Sequence, residues 1–243
     1  MRIGVRGHDL PATSPEELCR QMEALGVREL QLVAHKSFPN FVYSESAVRE
    51  LAEVFAAHHI HVAVFGCYID PLTETGRQRF AEHLRYAKLL NAGHIATESA
   101  VGVTDAQENE EVYQALVESF RDFARWGEAA GVRVAVETVS VHPICSPEKT
   151  WRLLDDVGSA NLDVILDPVN LMHTEDDPNV NEYVKQTLRL YGDRVIAVHW
   201  KHPEAKRDDP ALVFAARGEQ TVVITEGLTD ENLSKVIEQL KTI

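Results

Sequence analysis

The sequence predicts one eight-stranded parallel β/α barrel over residues 1–243, and three observations carry that prediction. Strand-like runs alternate with amphipathic helical segments along the chain, with no linker-like or low-complexity stretch between them. Runs such as VRVAV are almost continuously apolar, the pattern of a strand covered on both faces, as in parallel sheets. Four of the runs end in a metal-binding side chain: VRVAVE at Glu137, DVILD at Asp167, RVIAVH at His199 and TVVITE at Glu226. In a parallel barrel such carboxyl ends meet at one rim, where barrel sites are built.

The strands in order are RIGVRG, ELQLVA, HVAVFGCYI, AGHIATES, VRVAVETV, DVILDPV, RVIAVHW and TVVITEG. The first helical pattern, SPEELCRQMEALG, opens on a Ser three residues before Glu17 and closes on Gly26. SESAVRELAEVFAAHH, GRQRFAEHLRYAKLLNAG, NEEVYQALVESFRDFARWGEAAG and SPEKTWRLLDDVG repeat that design. NEYVKQTLRLYGD follows the sixth strand, and TDENLSKVIEQLKTI ends the sequence. Residues 201–220 show no convincing seventh helix, so that region is expected to be shortened or irregular. A second register starts a helix at TEGLTDENL, removes the eighth strand and takes the ligand role from Glu226. A doubly wound open sheet competes with the barrel, but the first βα turn lacks GxGxxG.

The length of 243 residues is ordinary for one such barrel. A net charge of −14 argues against nucleic acid and anionic membranes as partners. No apolar stretch approaches a membrane span. The first strand begins at Arg2, which leaves no room for a cleaved signal peptide, and Cys19, Cys67 and Cys145 lack metal or disulfide spacing. A cytoplasmic protein with reduced thiols is expected; a homo-oligomer stays open.

Asp167 precedes Pro168, which favours extended backbone at a strand end. Glu137 closes an apolar run, where an uncompensated carboxylate is costly and a cation is the natural partner. Carboxylates with one imidazole suit a single Mn²⁺, Mg²⁺, Co²⁺ or Zn²⁺ ion. Further polar groups follow the other strands: Arg6 and His8, His35 and Lys36, Cys67 and Tyr68, Thr97 and Glu98, Asn170, and Lys201 and His202. As substrate contacts the sequence offers Arg6, His8, His35, Lys36, Cys67, Glu98, Asn170, Lys201 and His202, with Arg6, Lys36 and Lys201 for an anionic end. His58, His59 and His61 read as a helix end and turn, Trp126 and Trp151 as helix packing, and residues 174–177 as a solvated acidic loop.

IGVRGHDL, GCYIDP, AEHLRYAKLLNAG, VAVETV, ILDPVN, AVHWK and the final TEG span nearly the whole sequence. Together they resemble the sugar phosphate isomerase/epimerase branch of the xylose isomerase-like TIM barrels, which includes tagatose/psicose-type epimerases and endonuclease IV. The resemblance implies one divalent metal held by Glu137, Asp167, His199 and Glu226. It also implies that Glu137 and Glu226 move the proton while the metal favours an enediolate. Two departures stand out: Asn170 occupies the usual His position, and His202 the usual Asp. Isomerisation or epimerisation of a small sugar or its phosphate is the expected activity. A keto-polyol dehydratase and an inactive sugar-binding barrel are the alternatives. A three-metal nuclease needs more histidines and carboxylates than the rim supplies.

Overall fold

The computed structural model describes residues 1–243 apart from Pro39, Asp176, Glu219 and Thr229. The strands are β1 (Arg2–Arg6), β2 (Glu29–Leu32), β3 (His61–Gly66), β4 (His94–Glu98), β5 (Arg133–Glu137), β6 (Leu162–Leu166), β7 (Val195–Trp200) and β8 (Val222–Thr225). They form a closed barrel in sequence order. Each strand pair whose register is described is parallel. The helices are α1 (Pro15–Leu25), α2 (Ala34–Ser37), α3 (Glu45–Ala57), α4 (Glu74–Leu89), α5 (Glu110–Ala130), α6 (Pro147–Val157), α7 (Val180–Tyr191), α8 (Pro210–Arg217) and α9 (Asp230–Leu240). No helix is long and apolar enough, among the described residues, to cross a membrane.

Two compact units divide the chain. The first comprises 1–66, 86–94 and 198–243. Its sheet core is Val5, Leu30, Leu32, Val62, Val64, Phe65, Val223 and Ile224, all nearly or fully buried. Ser14 caps α1 by accepting from the Glu17 amide, and Gly26 ends it at φ 67°, a left-handed position that costs glycine nothing. At Gly4 a Cβ would collide with the Glu29 carbonyl oxygen, so the β1–β2 approach requires glycine. β1 pairs with β8 from Arg2↔Val222 to Val5↔Thr225, which makes 222–225 a strand and rules out the second register.

The second unit comprises 67–85 and 95–197. Asn109 and Ser146 cap α5 and α6. Phe80 stacks on Phe123 with centroids 4.0 Å apart, and both rings are fully buried. Each such ring contributes about 2–3 kcal/mol of burial. β5 and β6 pair from Val134↔Leu162 to Glu137↔Ile165, which sets Glu137 at the end of the ladder.

Several expectations are corrected. Residues 210–217 do form a helix, α8: Pro210 opens it, and Asp209 accepts from the amides of Ala211 and Leu212. It is only 8 residues long, so the expected shortening of this region is borne out. His35 and Lys36 follow β2, as expected, on the short α2. Trp151 is 44 % exposed and is not a packing residue, whereas half-buried Trp126 packs 5.7 Å from Phe123. Asp177 is buried and accepts from the amides of His173 and Asn179, so it anchors the acidic loop; Asp176 of that loop lies outside the described residues. His58 caps α3, His59 takes φ 55° in the turn, and His61 opens β3, where its ring meets Glu29.

Candidate metal centre

In the first unit, His199 on β7 and Glu226 just after β8 come together. The Glu226 amide donates to the Trp200 carbonyl, which sets the strand end. His199, 1 % exposed, turns Nδ1 toward Glu226 Oε2 at 3.0 Å. Its Nε2 meets Gln31 Oε1 at 2.6 Å. The other oxygen of Glu226 pairs with Arg6 and, at 3.2 Å, with Lys201 Nζ. Arg6 also grips Asp9 through two bonds of 3.0 and 2.8 Å. Burial pushes the Glu226 carboxyl up, but His199, Lys201 and Arg6 outweigh burial and hold it well below the usual carboxylate range. Arg6 and Lys201 thus both pair with Glu226. His8 sits in the turn after β1; burial, then the charge of Arg6, pulls it down to about 4.

In the second unit, Glu137 ends β5 and Asp167 follows β6, and both are buried. Asp167 Oδ1 accepts from the amides of Val169 and Asn170 at 2.9 and 3.0 Å, an Asx turn that fixes the DPVN segment. The same segment carries the Asn170 side chain to Glu137 Oε1 at 2.6 Å. Glu98 ends β4 and lies 3.6 Å from His142 Nδ1. His142 is 2 % exposed, and burial pushes its pKa down although the Gly102 carbonyl favours its protonated form. Thr97 is buried and donates to the Glu98 carbonyl at 3.4 Å. Cys67 is buried, with its thiol pushed up to about 12 by that burial.

The structure thus joins His199 with Glu226, Arg6 and Lys201 in one unit, and Glu137, Asp167 and Asn170 in the other. His35 is exposed and touches Tyr43 at 3.4 Å, and Lys36 is exposed beside it. His202 is exposed, edge-on to Trp200 with centroids 5.2 Å apart. Two residues escaped the sequence reading. Gln31 had a signal, a polar residue inside the apolar run ELQLV, since burying an amide is costly without a partner. His142 lies in the loop after β5, and its sequence context offers nothing comparable.

Family comparison supplies the class of protein. The family model for the xylose isomerase-like TIM barrel matches residues 19–243, and the chain belongs to that family. Solved structures agree on the fold. D-psicose 3-epimerase from Clostridium cellulolyticum H10, solved with D-tagatose, is 15 % identical, with 100 % of this chain and 97 % of that chain covered and a TM-score of 0.76. 3-Keto-D-glucoside 4-epimerase from E. coli is 14 % identical over 100 % of both chains, with a TM-score of 0.80. An IolI protein with a bound zinc atom is 17 % identical, covering 100 % of this chain and 96 % of that one, with a TM-score of 0.76. No curated protein matches the sequence.

Proposed function

We propose that residues 1–243 act as one domain, a cytoplasmic divalent-metal-dependent isomerase or epimerase of a small sugar or sugar phosphate. The carrying observation is that Glu137, Asp167 and His199 are each buried at or beside a strand end and each offers a metal-ligating atom. Glu226 extends the set through His199. Two donors about 2.1 Å from one ion and at right angles to each other are about 3 Å apart. The 3.0 Å between His199 Nδ1 and Glu226 Oε2 fits that edge. Three carboxylates and an imidazole suit Mn²⁺, Mg²⁺, Co²⁺ or Zn²⁺, so the residues present fit such an ion. Relatives that act on ketoses and keto-sugars, and one that binds zinc, support the substrate class and the metal.

When bound, the metal supplies Lewis acidity that polarises a carbonyl and its neighbouring hydroxyl. The chain's own groups then handle the proton. Glu137, steadied at Oε1 by Asn170, is placed to take the proton from the carbon beside the carbonyl. Glu226 is a carboxylate at rest between Arg6 and Lys201. It returns a proton to the carbon only by taking one from the Lys201 ammonium at 3.2 Å, which solvent then reprotonates while Glu137 releases the proton it took. Glu98, with His142 behind it, is placed to accept a bond from a sugar hydroxyl.

The test begins with metal content by mass spectrometry, on the wild type and on Glu137→Gln with Asp167→Asn. About one equivalent in the wild type, lost in the variant, supports the reading. Ketoses and ketose phosphates are then incubated in D₂O with that metal. Deuterium incorporation beside the carbonyl that Glu137→Gln abolishes supports the enzyme. Metal binding without exchange or turnover across the panel would favour the inactive sugar-binding barrel, in keeping with Asn170 and His202 at their family positions.

A further inference from the structure

We propose that the cleft between the 201–209 loop and α9 is a second binding site, for a small organic anion. The Trp200 indole N–H, Lys206 and Lys235 receive its oxyanion, and its apolar body lies against Trp200 and Pro203. The proposal does not rest on the metal reading above. Successive strand residues face opposite ways, so His199 turns to Gln31 inside the barrel while Trp200 turns to the helix layer. There the 201–209 loop runs from β7 to the short α8, and the Ala205 amide ties it to α9 by donating to Gln239 Oε1 at 2.9 Å. Loop and helix wall a cleft of about 330 Å³. That volume is at the small end of ligand sites, which run from about 300 to 1,000 Å³.

Two observations make the ligand an anion. Trp200 is 2 % exposed, and its Nε1 is shut off from solvent with no acceptor among the described residues. An indole nitrogen only donates, so the atom that completes it is an acceptor. The exposed His202 ring stands edge-on beside it, with centroids 5.2 Å apart. Exposed side chains change rotamer within nanoseconds, so this ring can turn aside and let an acceptor reach the indole. The charges of the cleft are the second observation. Asp209 is committed to the amides of Ala211 and Leu212 that open α8. Glu204 lies 3.9 Å from Lys235 Nζ with both side chains more than half exposed, a pair too loose to resist an incoming anion. The Lys206 side chain has no partner among the described residues. Trp200 and Pro203 add apolar surface that a bare inorganic ion leaves uncovered.

The experiment follows the indole itself. ¹H–¹⁵N spectra of the full chain show the indole signals of its 3 tryptophans, and Trp126→Phe and Trp151→Phe assign Trp200 by elimination without touching the cleft. Benzoate, phenyl phosphate and sodium chloride are titrated in turn. A saturable shift confined to the Trp200 N–H is expected with benzoate or phenyl phosphate, and the tighter of the two identifies the oxyanion. No saturable shift with either, or an equal shift with chloride, overturns the proposal. Lys206→Gln with Lys235→Gln is expected to weaken binding by about tenfold. Unchanged affinity in that variant, whose two substitutions lie on the exposed surface, also overturns it. Glu137→Gln is expected to leave the titration unchanged. Loss of the shift there would place the anion at the candidate metal centre, which overturns the second site and leaves the metal reading standing.

Discussion

Asn170 Nδ2 donates to Glu137 Oε1 at 2.6 Å, while the Asn170 backbone amide donates to Asp167 Oδ1 at 3.0 Å. One residue therefore touches both carboxylates that the second unit brings to the candidate centre. Asn170→Ala removes only the side-chain bond. It is expected to keep the fold and weaken divalent metal binding by about tenfold, the lower end for a lost supporting contact. Asn170→Asp sets a like charge against Glu137 and is expected to weaken binding further at neutral pH. Calorimetric titration of both variants with Mn²⁺ checks this, and unchanged affinity in both would remove Asn170 from the site.

A second pairing bears on stability. Arg133, which opens β5, grips Asp163 of β6 through bonds of 2.6 and 2.8 Å. The Asp163 side chain is only 2 % exposed, whereas that of Arg133 is 47 % exposed. Arg133→Met strands a buried carboxylate, but water reaches the guanidinium and moderates what the pair contributes. A loss of about 2 kcal/mol is expected, below the full cost of breaking a buried pair. Adding Asp163→Asn removes the stranded charge and should recover part of the loss. Urea unfolding of the single and double variants measures it; strictly additive losses would refute the coupling.

The strand ends were legible because their chemistry is written locally. A Val- and Ile-rich run that closes on a carboxylate or an imidazole identifies Glu137, Asp167, His199 and Glu226 without tertiary information. Caps were legible for the same reason: Ser14, Ser44 and Ser146 all accept from an amide three residues on. The α8 helix was missed because KRDDP reads as polar loop, although Asp209 followed by Pro210 is itself a start signal. Partners distant in sequence could not be read. Nothing near Gln31 announces His199, and only the barrel brings them together. Asp177 and Trp151 were misjudged because burial depends on which face of the chain its neighbours cover, and composition does not record that.

The thiols give a test of core packing that needs no substrate. Burial raises Cys67 to about 12 and Cys19 to about 11, and raises Cys145 as well. Thiolate is the reactive form, so at pH 8 the two buried thiols should react with an aromatic disulfide roughly a hundredfold or more slowly than free cysteine. All 3 cysteines of the sequence should react at once in guanidinium. Fast labelling of Cys67 in the native protein would contradict its burial beside β3.

His8 predicts the pH dependence of stability. Burial, then the charge of Arg6, lowers it from 6.5 to about 4 in the folded protein. Between those values the unfolded chain takes up a proton that the folded protein resists, so stability falls as pH drops from 6.5 toward 4. Above 6.5 both states are neutral at this ring and the penalty vanishes. The ring is only partly buried, so the loss attributable to it is about 1–2 kcal/mol. His8→Gln has no proton to gain, and its unfolding free energy should fall less than that of the wild type by that amount between pH 7 and pH 4. Urea unfolding at half-unit pH steps measures the difference, and parallel profiles would show that His8 titrates alike in both states.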